Sequence, residues 1–145
     1  DFSALVKEVR FEPWRLTLEV TEQVLLADVA QASKALSLLA AQGMRIALDD
    51  FGAGFCNFRY LRLLPLHYLK LDRSMIEGVT GDARDLAVLR AIVAMAGALD
   101  LAVIAEGVET EAQRLLAVAE GCLFYQGFLR AQPMGAKAFL ELARS

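Results

Sequence analysis

The chain has 145 residues, one domain's worth, with 57% hydrophobic residues and a formal net charge of −3. That balance excludes a polybasic surface for DNA, RNA or anionic lipid, and the hydrophobic content suits buried parallel strands or a face that meets a partner. No apolar stretch approaches the ~20 residues needed to span a bilayer, and no secretory signal pattern opens the chain, so a cytoplasmic protein is expected, whose parent could be membrane-anchored.

The elements follow in order. Phe2 to Val9 reads as the tail of a helix, which Pro13 stops. Trp14 to Val20 reads as the first strand, and Asp28 to Gln42 as a helix with apolar residues at helical spacing and Gly43 as its stop. Met44 to Leu48 is the second strand. Phe51-Gly52-Ala53-Gly54 is a loop, and a short helix runs to Leu64 before Pro65. His67 to Leu71 is the third strand, Asp85 to Leu99 the longest helix, and Leu101 to Ala105 the fourth strand. Thr110 with Gln113 forms a capping box for a helix to Ala119; Cys122 to Tyr125 is the fifth strand and Ala136 to Ala143 the last helix.

This β-α order, repeated five times with short connections, implies an α/β fold with a parallel sheet and right-handed crossovers. Five units do not close a (β/α)8 barrel, which needs eight strands and typically ~250 residues. The sheet is therefore either open and doubly wound or the C-terminal part of a barrel, and a start within an uncapped helix favours the second.

Five apolar segments end on polar residues: Glu19, Asp49-Asp50, Lys70, Glu106 and Gln126. In parallel α/β folds the C-terminal strand ends converge on one site. Four carboxylates without His or Cys suit Mg²⁺ or Mn²⁺ rather than Zn²⁺, and adjacent aspartates suit bridging two metals for in-line displacement at a phosphodiester. Lys70, the one cation of the set, suits orienting a water or holding developing negative charge. A single strand-end carboxylate is commonly a cap or a solvated rim residue, and Glu22, Asp72 and Glu109 taken alone read that way. His67 reads as structural. Cys56 and Cys122 lack metal or redox spacing and read as reduced small hydrophobes.

Leu18-Glu19-Val20-Thr21-Glu22, Asp49-Asp50-Phe51-Gly52-Ala53-Gly54-Phe55, Leu69-Lys70-Leu71-Asp72-Arg73-Ser74, Ala105-Glu106-Gly107-Val108-Glu109-Thr110 and Gln126-Gly127-Phe128-Leu129 together closely resemble the EAL domain, over about Trp14 to Pro133. The resemblance implies a TIM-like barrel and metal-dependent hydrolysis of cyclic di-GMP to linear pGpG. It implies Glu19, Asp49, Asp50 and Glu106 as Mg²⁺ or Mn²⁺ ligands, and Lys70 as the residue positioning water, with Asp72 beside it and Gln126 in support of Glu106. Glu22 resembles a glutamate that braces the Phe51–Phe58 loop, which in this family also couples to dimerisation. The family's Glu-Ala-Leu signature and an asparagine ligand lie on earlier strands.

Residues 1–145 are therefore expected to be a single EAL-type domain truncated at its N-terminal side: about five C-terminal βα units, lacking full activity as they stand. A non-catalytic cyclic di-GMP receptor or dimerisation module is the alternative. Expected partners are cyclic di-GMP, a second copy of the chain, and sensory or GGDEF-type domains in a bacterial parent. The inner face of the sheet is expected to be uncovered and lined by Leu18, Ile46, Leu48, Leu69 and Ile104, which would drive self-association.

Overall fold

A computed structural model describes residues 6, 8, 11–21, 28–54 and 58–144. Five parallel strands form one sheet: β1 Thr17–Thr21, β2 Arg45–Phe51, β3 Tyr68–Leu71, β4 Ala102–Ala105 and β5 Phe124–Tyr125. Between and after them run α1 Val29–Ala41, α2 Arg59–Leu63, α3 Ser74–Glu77, α4 Ala83–Ala98, α5 Glu111–Ala119 and α6 Ala136–Leu142. The strand order is β1-β2-β3-β4-β5, every strand beside its predecessor. A doubly wound sheet reverses direction at a switch point, whereas a barrel advances one way. This sheet advances one way, which decides between the two architectures in favour of an arc of a barrel.

The helix starts follow from local chemistry. The Asp28 carboxylate accepts from the Gln31 N–H at 2.9 Å, and Asp82 accepts from the Arg84 N–H at 2.7 Å. The Asp82 cap starts α4 at Ala83, two residues ahead of the expected Asp85. The Thr110–Gln113 capping box forms as expected. Trp14 is not in a strand: Pro13–Arg15 make a 3₁₀ turn with proline at the first position, and β1 begins at Thr17. The short helix α3, unanticipated, follows Asp72, whose Oδ1 accepts from the Ser74 N–H at 2.9 Å. The expected helix over 2–9 falls largely outside the described residues, as do Glu22, Phe55, Cys56 and Asn57.

Strand parity overturns the expected inner face. The register pairs Glu19 with Ala47, Ala47 with Tyr68, and Lys70 with Ile104, so these share one face. Leu18, Ile46, Leu48 and Leu69 lie on the other, where they join Leu36, Leu61 and Leu89 in the helix-covered core. Of the five residues expected on the inner face, Ile104 alone is there. The inner face is instead polar at its C-terminal end and aromatic below, with Tyr68 and Phe124 edge to face at 5.9 Å. Among the described residues, no helix is long and apolar enough to cross a membrane.

Candidate functional site

The hydrogen-bond ladder of the sheet continues past the strand ends. The Asp72 N–H donates to Phe51 O at 3.0 Å, Glu106 N–H to Leu71 O at 3.1 Å, and Gln126 N–H to Ala105 O at 2.9 Å. Glu106 and Gln126 are thus one residue beyond β4 and β5 yet positioned by the sheet rather than by loops. Such backbone registration gives a site the rigidity that catalytic geometry requires.

At β2 the ladder is interrupted. Leu48 pairs with Leu69 and Phe51 with Leu71, so Asp49 and Asp50 together stand opposite Lys70, an irregularity of one extra residue in β2. Asp50 adopts a positive φ of 57°, a conformation that aspartate tolerates better than most residues. The extra residue has two effects. It returns Phe51 to the core face, where it is buried, and it brings both aspartates to the same end of the sheet.

Lys70 is the hub. Its side chain is 4% exposed, and its Nζ lies 2.7 Å from Glu19 Oε2, 2.7 Å from Asp49 Oδ1 and 2.6 Å from Glu106 Oε1. Burial disfavours the ammonium, but its bonds with Asp49, Glu106 and Glu19 outweigh that and hold its pKa well above the ordinary lysine value. Burial likewise pushes the Glu106 carboxyl up; the bond with Lys70 pulls it down, and the negative charges of Asp49 and Glu19 add to the rise. One ammonium cannot neutralise every carboxylate around it. Gln126 Nε2 donates to the same Glu106 Oε1 that Lys70 contacts.

Asp49, Asp50 and Glu106 each offer an oxygen, and these oxygens lie within 4.8 Å of one another. Asp49 Oδ1 is buried and meets only the Lys70 ammonium, which Glu19 and Glu106 share. An all-oxygen cluster of carboxylates that keeps a net negative charge beside one ammonium fits a hard divalent cation. Glu19 reaches the same cluster through Lys70.

The strand-end residues read from sequence are therefore brought together at Glu19, Asp49, Asp50, Lys70, Glu106 and Gln126. Asp72 is engaged elsewhere: its Oδ1 accepts from both the N–H and the Oγ–H of Ser74, and the Ser74 bonds lower its pKa. Glu22 lies outside the described residues. Sequence reading missed Arg73, which joins α3 to the loop after β4 through Glu109; the signal available was the Arg73–Glu77 spacing of four on a helix.

Comparison with known proteins shows the family of the chain. The sequence profile described as EAL domain matches residues 1–133. A Pseudomonas aeruginosa protein named bifunctional diguanylate cyclase/cyclic di-GMP phosphodiesterase MucR is 43% identical over 129 residues, which is 89% of this chain and 19% of that protein. A solved structure of the MucR phosphodiesterase in complex with c-di-GMP superposes with a TM-score of 0.86 at 40% identity, covering 94% of this chain and 56% of the other. Klebsiella pneumoniae BlrP1 in a manganese/cyclic di-GMP complex superposes with a TM-score of 0.83 at 28% identity, over 91% of this chain and 34% of that one. The chain thus spans about a fifth of MucR and just over half of the MucR phosphodiesterase structure.

Proposed function

From the premise that the chain belongs to the EAL domain family, we propose that it carries part of the active site of a metal-dependent cyclic di-GMP phosphodiesterase. The observation that carries this reading is the Lys70 hub: one buried ammonium held by Glu19, Asp49 and Glu106, with Asp50 brought alongside by the irregularity in β2. Relatives whose structures hold cyclic di-GMP, one of them with manganese, support the substrate and the type of ion.

In this reading Asp49, Asp50 and Glu106 would hold Mg²⁺ or Mn²⁺, with Glu19 completing the set. Such ions, when bound, would supply charge neutralisation at the phosphodiester and a nucleophile at neutral pH. The remaining work belongs to the chain's own groups. The Lys70 Nζ presents three N–H donors and stays charged throughout the physiological range. In the structure those donors face Glu19, Asp49 and Glu106; a donor released when these carboxylates turn to a cation would orient the attacking water and stabilise the charge that develops on the phosphoryl oxygens. Lys70 and Gln126 both engage Glu106 Oε1, which holds that oxygen in place. Asp72 acts through Ser74, setting the start of α3 rather than touching the reaction. In the same reading, residues 1–145 are the C-terminal part of one EAL-type domain.

The family-like dimer near Phe51–Leu64 is part of this proposal. It is supported by the exposed Phe58 and by an apolar cavity of about 430 Å³ between Phe51, Phe58, Met75 and α4. Sedimentation of the intact protein across a concentration series, with Phe58→Glu as comparison, tests it. A monomer at every concentration would remove the dimer.

The activity is tested by chromatography of cyclic di-GMP incubated with the intact protein and Mn²⁺. Formation of pGpG, abolished by chelation and lowered about 10²–10³-fold by Lys70→Ala, is expected. Full turnover after Lys70→Ala would remove the lysine from the mechanism.

A further inference from the structure

We propose that Arg73 is a positioning residue that fixes the Glu106–Glu109 loop and, through it, the Glu106 carboxylate. The inference rests on the phosphodiesterase reading for its rate measurement, but not for its metal measurement. Three observations carry it.

First, Arg73 bridges two elements of the site. Its Nε lies 2.6 Å from Glu77 Oε1 within α3, and its Nη1 lies 2.9 Å from Glu109 Oε1 in the loop after β4. β3, which ends next to Arg73, carries Lys70, and β4 leads into Glu106. The guanidinium therefore ties together the two strand ends whose side chains form the Lys70–Glu106 pair.

Second, the loop is shaped around the arginine stem. Gly107 has a φ of +66°, and a Cβ there would lie 2.4 Å from Arg73 Cγ and 2.7 Å from its Cβ. A glycine at positive φ, directly after a functional carboxylate and pressed against one side chain, is the arrangement expected where two segments must approach closely. The stem supplies a steric stop on one side of the loop.

Third, the other side of the loop is already fixed. Gln113 Oε1 accepts from the backbone N–H groups of both Glu109 and Thr110, at 2.9 and 3.0 Å. The Val108 N–H donates to Gln126 O at 3.1 Å. The Leu129 N–H donates in turn to Val108 O at 3.1 Å, and Arg73 adds a hold on the side of the loop that opens into a cavity of about 850 Å³ shared by Glu106 and Gln126. Groups that orient a ligating carboxylate from behind commonly carry 10–100-fold in metal affinity or activity.

The test uses the intact protein with Arg73→Ala, Arg73→Lys and Glu109→Gln. Arg90→Ala, which breaks an ion pair between a comparably exposed arginine and Glu120 at the C-terminal end of α5, is the control. Steady-state rates on cyclic di-GMP are read beside calorimetric Mn²⁺ affinity. Arg73→Ala should lower kcat about tenfold or more and weaken Mn²⁺ binding several-fold, with KM nearly unchanged. Its unfolding midpoint should stay within about 2 °C, since exposed ion pairs contribute little. Arg73→Lys, which keeps the stem over Gly107 and one ion pair, should stay within about threefold of the parent. Glu109→Gln should move both readouts in the same direction as Arg73→Ala, which covers the case in which that variant does not fold. Unchanged kcat and Mn²⁺ affinity in Arg73→Ala, an effect confined to KM, or an equal loss in Arg90→Ala would each overturn the proposal. Absence of any turnover in the parent protein would sink the phosphodiesterase reading instead, and the Mn²⁺ affinities alone would then decide the role of Arg73.

Discussion

Lys70→Met is the perturbation that most directly interrogates the hub. Methionine keeps the length and most of the volume of lysine but removes the charge. The ammonium is 4% exposed, whereas its partners Glu19, Asp49 and Glu106 are 47%, 20% and 16% exposed. Removing one partner of a fully buried ion pair costs about 3–5 kcal/mol, because the other charge is left uncompensated. Here Glu19 is half in water and adds little. The cost expected at pH 7 in metal-free buffer is therefore about 2–4 kcal/mol, dominated by Asp49 and Glu106. Urea unfolding followed by circular dichroism measures it.

The deficit has two signatures of its own. With the lysine gone, the Glu106 carboxyl, already above its ordinary value, rises further. A carboxyl whose folded pKa exceeds its unfolded value binds more protons when folded, so its contribution to stability is lost as pH rises above the unfolded value of about 4.3. The variant should accordingly approach the parent as pH is lowered toward 4.5. Millimolar Mn²⁺ should also restore it, because a cation at Asp49, Asp50 and Glu106 replaces the missing charge; binding at 100-fold above Kd contributes about 2.7 kcal/mol. Equal stability of Lys70→Met and parent at pH 7 without metal would refute the reasoning, as would a deficit that neither acid nor Mn²⁺ reduces.

Other expected outcomes follow from single sites. Gly127→Ala would place a Cβ 2.2 Å from Val108 O and 2.4 Å from Val108 N, forcing two backbone segments apart; a loss of about 2–4 kcal/mol is expected by thermal unfolding, and a stable, fully active variant would contradict it. His67 accepts the Ile46 N–H on Nδ1 at 3.2 Å, and burial together with nearby Arg45 lowers its pKa. Because the unfolded state then binds the proton better, its contribution is complete above the ordinary value near 6.5 and is lost as pH falls below it; His67→Phe should flatten that part of the stability–pH curve. Burial pushes the Cys122 thiol up to about 11, with Glu120 adding to the rise. Alkylation of native protein at pH 8, read by mass spectrometry, should leave Cys122 unmodified until denaturant is added, and stability should decline between about pH 9 and 11 as the unfolded thiol ionises first.

The sheet and most of the site were legible because both rest on short-range patterns. Apolar runs that end on a charge are visible in one dimension, and a βα order leaves little choice of pairing. What escaped was whatever depends on phase. Assigning Leu18, Ile46, Leu48 and Leu69 to the inner face treated apolar character as a label for the barrel interior; in fact the helices cover those residues, and the partners of Lys70 occupy the opposite parity. The extra residue at Asp49–Asp50 could not be seen either, because nothing in the letters separates a strand that alternates from one that skips a beat. Arg73 and α3 escaped for a different reason: the Arg73–Glu77 spacing of four carries meaning only once a helix is known to be there, a helix of four residues shows no periodicity, and the bridge to Glu109 spans 36 positions of sequence.

The skipped beat at β2 has a consequence for how such a site can be lost. Asp49 and Asp50 share an end of the sheet, and Phe51 returns to the core, because the strand holds one residue more than its neighbour needs. Replacing either aspartate removes one carboxylate from the cluster and leaves the hydrophobic interior untouched. Deleting one residue there does something else: it restores strict alternation and brings Phe51 round to where the second aspartate stood, removing a carboxylate from one side and an aromatic ring from the other at once. Drift by substitution is therefore open to this segment, and drift by deletion is closed to it. A descendant that has given up chemistry but still folds should keep the length of β2 long after it has changed the letters.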